Sequence, residues 1–143
     1  ENSVYEDEIV YPVKDEDGNI LFVIHGYLDN CTYTDGVVDI CDYKTGNADK
    51  KVAYYASETY GQTTLYSHCK TLEGFRVNSS YVMLLGRKGT GSASNPLHLT
   101  GNNIFIPTPY SKVRGDRVIE DMTKVALEIS NYFRIYFLKT LAQ

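Results

Sequence analysis

The chain contains 143 residues, of which 43% are hydrophobic and 22% charged, and this composition suits one globular domain with a hydrophobic core. It excludes a disordered chain, a collagen-like repeat and a small disulfide-stapled scaffold. The longest apolar stretch, Ile20 to Ile24, is far shorter than the roughly 20 residues of a membrane-spanning helix, and no basic-then-apolar leader opens the chain. We therefore expect one domain, residues 1–143, with no membrane segment.

Acidic and basic residues are unevenly distributed along the chain. Residues 1–49 carry two basic and twelve acidic residues, whereas residues 50–143 carry twelve basic and six acidic ones, for a net charge of −4. A polyanion would be repelled by the first third and attracted by the rest, unless a bound cation neutralised the acidic part. This distribution is typical of a metal-dependent enzyme acting on phosphates, and the alternative is a solvated acidic surface.

The cysteines and histidines favour neither disulfides nor zinc. Cys31, Cys41 and Cys69 are odd in number, form no C-x-x-C pair and lie in apolar segments, which predicts buried, reduced thiols in a cytoplasmic protein. Zinc needs about four N or S ligands, and the usual spacings are absent. His25 is either a third ligand near Asp29 or, as we favour, a strand histidine with a local partner. No partner of His68 or His98 is visible in the sequence.

The first third of the chain predicts an antiparallel meander. Val4 to Lys14 reads as a strand, and residues 15–19, rich in Asp, Gly and Asn, read as a tight turn. Ile20 to Asn30 is a second strand, and Asp35-Gly36 turns the chain into a third, Val37 to Thr45.

The remainder predicts two helices with strands between them. A helix from about Ser57 to Glu73 follows from apolar residues at helical spacing, with Gly74 as its stop. Tyr81 to Leu85 reads as a strand, and Gly86 to Pro96 as a flexible loop before two short strands. These strands lie near residues 97–99 and 104–106.

Asp116 is expected to cap a long final helix. Its apolar face is formed by Ile119, Met122, Ala126, Ile129, Phe133 and Phe137. The order of elements predicts an α+β (mixed α/β) domain with helices packed on a central sheet.

The acidic residues of two neighbouring strands are the candidate site. Because side chains alternate along a strand, Asp42 and Lys44 point to one face and Tyr43 to the other. Asp29 ends the preceding strand, and a meander brings its carboxylate close to that of Asp42. Two carboxylates at one point repel each other unless a cation joins them, and hard oxygen ligands favour Mg²⁺ or Mn²⁺. The Tyr43 backbone carbonyl is a further candidate ligand.

Lys44 would orient or activate a water beside such a cation and balance charge in a transition state. This arrangement suits the hydrolysis of a phosphodiester. The alternative is an ordinary ion pair between Asp42 and Lys44, which would be worth little. The apolar strand around the pair and the nearby Asp29 favour catalysis, whereas Asp39 lies on the opposite face, where we expect it to be solvated.

Three motifs in order resemble a known family. Gly-Tyr-Leu-Asp ending at Asp29, Asp-Tyr-Lys-Thr-Gly beginning at Asp42, and the Q-x-x-x-Y segment from Gln62 to Tyr66 are similar to the site motifs of the PD-(D/E)XK nuclease superfamily, in its RecB-like branch. The resemblance covers residues 20–70 well and the rest only in outline. It implies a restriction-endonuclease-like fold and metal-dependent DNA cleavage, often by an exonuclease, in recombination, repair or phage replication.

The same resemblance assigns roles to residues. Asp29 and Asp42 would be ligands of Mg²⁺ or Mn²⁺, and Lys44 the catalytic lysine. Gln62 and Tyr66 would support the lysine or contact DNA. Many members carry a further Glu or His ligand on an upstream helix, and we expect this chain to start after that helix, with Glu6 or Glu8 as a weaker substitute. The alternative is therefore a catalytically incomplete module that binds DNA or a protein such as a helicase or recombinase.

Two basic clusters are candidates for phosphate contacts. Arg87 and Lys88 belong to the predicted glycine-rich loop, and either contact DNA or form a solvated hairpin tip. Lys112, Arg114 and Arg117 precede the last helix and either bind phosphate or are merely solvated. The tyrosines could stack on bases, but sheet faces and core edges are the favoured places for most of them.

Overall fold

A computed structural model of the chain describes residues 2–57 and 60–141, with the side chains of 48–50 and 135–141 outside that description. Within these residues, five strands form one mixed sheet in the order β1-β2-β3-β4-β5, and three helices flank it. The elements are β1 (Asn2–Lys14), β2 (Ile20–Thr34), β3 (Val37–Gly46), α1 (Ala48–Tyr55), α2 (Gln62–Leu72), β4 (Arg76–Lys88), β5 (His98–Pro107) and α3 (Lys112–Leu141). The predicted α+β class is confirmed.

Two tight turns make the first three strands a meander, as predicted. In the first, the Asp15 carboxylate accepts the N–H groups of Asp17 at 3.0 Å and Asn19 at 2.8 Å. In the second, Asp35 and Gly36 have φ of 49° and 75°, the left-handed pair that a two-residue hairpin requires. The β1–β2 and β2–β3 pairs are accordingly antiparallel.

The chain then crosses over to a parallel pair. After β3 it passes through α1 and α2 and returns as β4, which lies parallel to β3 with Lys44 opposite Leu84. Strand β5 pairs antiparallel with β4 and closes the sheet at its far edge. Parallel neighbours need such a long connection, because a tight turn reverses the chain direction.

Two hydrophobic clusters form the core, and the candidate site lies between them. One centres on β1, β2 and the first part of β3, packed by α2 and the beginning of α3, and includes Ile40. The other joins β4 and β5 to Tyr55 and Tyr60, and includes Val82. Asp42 is two residues beyond Ile40 and lies opposite Val82 in the sheet, so its side chain lies where the two clusters meet.

Several predicted boundaries were wrong in the second half of the chain. The helix predicted from Ser57 begins at Gln62, and the unpredicted α1 precedes it. Residues 48–55 lack a clear apolar period, so α1 depends on packing of Val52 and Tyr55 against the second core cluster. The two predicted short strands form one, β5, and β4 extends to Lys88 and places Arg87 and Lys88 in a paired strand.

The last helix, α3, begins earlier than predicted, and its C-terminal part extends beyond the surface on which it packs. Asp116 lies inside α3 and does not cap it, and the Ser111 hydroxyl accepts the N–H of Arg114 at 3.3 Å near the actual start. Ile119 and Met122 pack on the core, as predicted. Ile129 and Phe133 are exposed, because α3 continues past the helix and strands it packs against. Phe137 lies outside the described side chains.

The cysteines are buried and unpaired, as predicted. Burial raises the pKa of the Cys31 thiol to about 12 and that of the Cys69 thiol to about 11, so both are protonated at neutral pH. Among the described residues, no helix combines the length and the apolar character needed to cross a membrane.

Candidate active site

Strands β2 and β3 separate at the point where their acidic residues lie. Their pairing runs from Thr34 opposite Val37 to Asn30 opposite Cys41 and ends there. Beyond that point β2 pairs only with β1, and β3 only with β4. The Asp29 carboxylate bridges the opening by accepting the Tyr43 N–H at 2.7 Å. This fork therefore places Asp29 beside Asp42, the residue that precedes Tyr43.

Asp42 is the most enclosed charged group of the site, with 3% of its surface exposed. Its Oδ2 atom lies 2.7 Å from Lys44 Nζ and accepts the Tyr60 hydroxyl at 2.9 Å. Its Oδ1 atom accepts a longer hydrogen bond from Gln62 Nε2, at 3.4 Å. The donors around this carboxylate therefore come from β3, from Tyr60 two residues before α2, and from the first residue of α2.

These donors do not fully compensate the burial of Asp42. Burial raises the pKa of the Asp42 carboxyl, and the nearby charge of Asp29 adds to the effect, against the opposing influence of Lys44 and Tyr60. A buried carboxylate with a raised pKa is one whose charge the surroundings only partly stabilise. The site would therefore gain from a further positive charge.

Lys44 connects the buried carboxylate to solvent. Its side chain is 28% exposed while its Nζ contacts Asp42, so the ammonium group lies at the boundary between the core and water. The side chain of Tyr43 lies on the opposite face of β3, as strand alternation predicts, and leaves only its backbone at the site.

Tyr66 and Gln62 link the helix to the fork. Gln62 Nε2 lies 3.4 Å from the Tyr66 hydroxyl, one helical turn away. The Tyr66 ring passes close to Gly26 of β2, where an added Cβ atom would lie 3.1 Å from the Tyr66 hydroxyl oxygen. The glycine of the Gly-Tyr-Leu-Asp segment therefore leaves room for the tyrosine of the Q-x-x-x-Y segment.

Tyr60 is a site residue that the sequence did not reveal. It is 7% exposed, belongs to the second core cluster, and its ring packs edge-on against Tyr55 at 5.0 Å. Its hydroxyl lies between Asp42 and Gln62, 2.9 and 3.1 Å from their oxygens. Burial and the Asp42 charge raise the pKa of Tyr60, so this hydroxyl keeps its proton. No pattern distinguishes Tyr60 from the other tyrosines, because its role depends on the connection between α1 and α2.

Other candidate residues lie away from the fork. His25 Nε2 pairs with Glu8 at 2.9 Å on exposed side chains, which agrees with a locally partnered strand histidine. Glu6, with a positive φ of 52°, lies on β1 between Tyr5 and Asp7, which pair with Asn30 and Leu28, and has no pairing partner of its own in the β1–β2 register. Asp39 accepts hydrogen bonds from Asn78 at 2.8 Å and Ser79 at 2.5 Å, so it has β4 partners in addition to solvent.

Arg87 and Lys88 lie on β4 beyond Leu84, the partner of Lys44, and thus at the same end of the sheet as the site. Within the described part of the chain, no group of three or more His, Cys, Asp or Glu side chains is arranged to hold a metal ion. The two-carboxylate fork has the hard oxygen donors that Mg²⁺ or Mn²⁺ prefers.

Comparison of the chain with protein-family models, curated proteins and solved structures finds no match.

Proposed function

We propose that this chain is a divalent-metal-dependent DNA nuclease domain of the restriction-endonuclease-like kind, acting as an exonuclease in recombination, repair or phage DNA metabolism. The observation that supports it is the fork at which β2 and β3 bring Asp29 next to Asp42, with Lys44 Nζ 2.7 Å from Asp42. The motif resemblance over residues 20–70 supports the same reaction.

Asp29 and Asp42, with the Tyr43 backbone carbonyl, would hold Mg²⁺ or Mn²⁺. When bound, such an ion polarises the scissile phosphoryl group. The raised pKa of Asp42 supports this assignment, because a buried and undercompensated carboxylate gains most from a cation. Glu6 lies between the β1 residues that pair with Asn30 and Leu28, the two neighbours of Asp29.

The neighbours of Asp42 have distinct roles in this proposal. Lys44 orients the attacking water and balances charge on the phosphate, since its ammonium group reaches solvent from the edge of the core. Tyr60 and Gln62 fix the orientation of the Asp42 carboxylate through hydrogen bonds to its two oxygens. Tyr66 positions Gln62. Arg87 and Lys88 are proposed DNA contacts at the same end of the sheet.

A second function, a metal-free module that binds DNA or a helicase or recombination protein, is favoured by one observation. Both oxygens of Asp42 already accept hydrogen bonds from the protein. A cation must displace or share these contacts. If it cannot, the fork is a structural ion pair on a binding scaffold.

The direct test is cleavage of linear double-stranded and single-stranded DNA by the purified chain, with and without Mg²⁺ or Mn²⁺. We expect metal-dependent cleavage that falls at least about 100-fold in Asp42→Asn and in Lys44→Ala, since each removes a group that acts on the phosphate. Asp39→Asn is the matched control, because it makes the same change on the opposite face of the same strand. Cleavage that persists in Asp42→Asn would reject the assignment.

Calorimetric titration with Mn²⁺ separates the two functions. The nuclease proposal expects binding to the wild type and to Asp39→Asn, and weaker binding to Asp42→Asn. A folded wild type that binds DNA, takes up no Mn²⁺ and cleaves nothing would establish the binding module instead.

A further inference from the structure

A small cavity lies between the first turn of α2 and the first turns of α3, outside the Asp42 cluster. Its volume is about 170 Å³. Pockets for drug-sized ligands start at about 300 Å³, so this cavity suits a single small group. The lining residues are Gly61, Thr64, Arg114, Arg117, Val118 and Asp121.

The end of α2 at this cavity is uncapped. Gly61 occupies the capping position and offers no side chain to the free N–H groups, and the first turn contains no acidic residue. The Leu65 N–H bonds back to the Gly61 carbonyl at 2.9 Å, and the amides of residues 62–64 come before that bond. Such a helix end carries partial positive charge and amide donors that favour an anion.

Thr64 supplies an independent observation. Thr64 lines the cavity and is 2% exposed, and its hydroxyl forms no hydrogen bond within residues 2–57 and 60–141. A hydroxyl that lines a cavity and has no protein partner can donate its proton to a bound anion.

The charged side chains around the cavity favour an anion. Two arginines line it, and Arg114 is held in place by a hydrogen bond from its guanidinium to the Pro109 carbonyl. Arg117 is exposed. Asp121 is the one carboxylate among the lining residues, and its oxygen lies 3.6 Å from Lys124 Nζ. Among the described lining residues there are thus two arginines and one carboxylate, and guanidinium groups bind phosphate oxygens well.

We infer that this cavity binds one phosphate group, and that it is the subsite for a backbone phosphate of the nucleic-acid strand whose scissile bond lies at Asp42. The second part rests on the proposed function. One helical turn connects the two places, because Gln62 hydrogen-bonds Asp42 while Gly61 and Thr64 line the cavity. A strand bound across this turn presents one phosphate to Lys44 and another to Arg117.

The first experiment measures binding of inorganic phosphate to the metal-free chain by NMR titration. We expect binding about tenfold weaker in Arg117→Gln, since a hydrogen bond to a charged group is lost. Arg134→Gln is the control, because it makes the same change at an exposed position further along α3. Asp121→Asn should bind phosphate more tightly. Equal affinities in Arg117→Gln and Arg134→Gln would overturn the site.

A second pair of variants tests the Thr64 hydroxyl. Thr64→Val should weaken phosphate binding several-fold without unfolding the chain, because the hydroxyl it removes has no partner in the described protein. Thr63→Val is matched to it, since Thr63 is also fully buried with an unpartnered hydroxyl but does not line the cavity. A loss of phosphate binding in both variants, or in neither, would count against a role for Thr64.

The third experiment distinguishes a backbone phosphate from free phosphate. Binding of a single-stranded oligonucleotide is measured against salt concentration in Asp42→Asn, which keeps the substrate intact. Adding Arg117→Gln should reduce the salt slope by about 1, and adding Arg134→Gln should leave it unchanged. An unchanged slope with Arg117→Gln would confine the cavity to free phosphate and overturn the subsite. If this slope falls while the wild type cleaves nothing, the phosphate subsite stands and the proposed reaction fails.

Discussion

Two aspartate–lysine clusters lie at opposite ends of α2, and they differ in how well their charges are compensated. At one end Lys70 is buried, with its Nζ 2.9 Å from Asp7 and 3.1 Å from Glu73. Its ammonium group also lies over the rings of Tyr33 and Phe75, at 5.6 and 5.9 Å from their centroids. At the other end Lys44 contacts one carboxylate of the described residues, Asp42, and is partly exposed.

The protonation behaviour of the two aspartates follows from this difference. Burial works against the charge of Asp7, but hydrogen bonds from Tyr33 and Lys70 outweigh it and lower the pKa of Asp7. At Asp42 the effect of burial is larger than that of Lys44 and Tyr60, and the pKa of Asp42 is raised. The hydrogen bonds to Tyr33, Asp7 and Glu73 likewise raise the pKa of Lys70 against the effect of its burial. The first cluster stabilises the fold, whereas the second carries a charge that the fold alone does not stabilise.

The largest expected effect is the loss of the Lys70 ammonium. Lys70→Met should lower the free energy of unfolding by about 3–5 kcal/mol, because two carboxylates are left in a poorly solvated place without their cation. Lys44→Met is the matched variant and should lose less, because it leaves one carboxylate instead of two without a cation, and Asp42 keeps the hydrogen bonds from Tyr60 and Gln62. Urea unfolding followed by circular dichroism measures both. Equal losses would remove the distinction between the two clusters.

The pH dependence of stability should have opposite signs at the two aspartates. A raised folded-state pKa means that ionisation of Asp42 costs stability as pH rises above the ordinary aspartate pKa of 3.8. Asp42→Asn should therefore stabilise the metal-free chain by roughly 1 kcal/mol at pH 7, with no gain below pH 3.8.

Asp7→Asn should destabilise the chain at pH 7, because a lowered pKa gives stability that is present above 3.8 and lost as pH falls through the folded-state value. Urea unfolding at pH 3, 5 and 7 tests both variants. If Asp42→Asn were destabilising throughout, its carboxylate would be a structural group like that of Asp7.

A smaller effect is expected at the contact between Gly26 of the Gly-Tyr-Leu-Asp segment and Tyr66 of the Q-x-x-x-Y segment. Gly26→Ala places a Cβ atom 3.1 Å from the Tyr66 hydroxyl oxygen, so the ring must shift by a few tenths of an ångström. We expect a loss of about 1 kcal/mol in stability. The loss of DNA cleavage should be larger, because a shift of Tyr66 also displaces Gln62, which is hydrogen-bonded to it. Thermal unfolding and the cleavage assay measure the two quantities. Unchanged cleavage would show that Tyr66 does not position the site.

The smallest effect serves as a baseline for the other charge variants. Glu8→Gln removes an exposed carboxylate that lies 2.9 Å from His25 Nε2, and should change stability by less than about 0.5 kcal/mol. The same urea assay applies. A loss of stability comparable to that of Lys70→Met would mean that solvent exposure does not determine how much such pairs contribute to the free energy of unfolding.

Local turn chemistry made the first half of the fold predictable. Asp15, Gly18, Asp35 and Gly36 fix two tight turns whatever the rest of the chain does, and tight turns between strands give an antiparallel meander. In the second half the apolar period of α2 located the helix but not its first residue. Helix α1 has no period to detect, and the parallel pairing of β3 with β4 leaves no mark in the sequence, because it depends on a long connection.

The candidate site shows the same division. Strand alternation placed Asp42 and Lys44 on one face, and the structure brings Gln62 to Asp42 as well. Tyr60 and the environment of His68 could not be predicted. His68 is buried against the Tyr110 hydroxyl at 3.3 Å and Asp116 at 3.4 Å, contacts between residues 42 and 48 positions apart.

By itself, the sequence determined the turns, the strand faces and the order of the acidic and basic residues, because each depends on neighbours a few positions away. Only the tertiary structure decided that β2 and β3 separate at Asp29 and Asp42, that Lys70 is enclosed while Lys44 reaches water, and that Arg114 and Arg117 meet the end of α2. These features of the packing determine how deeply each charged group is buried. Burial depends on which distant segments pack together, and no local pattern encodes that packing.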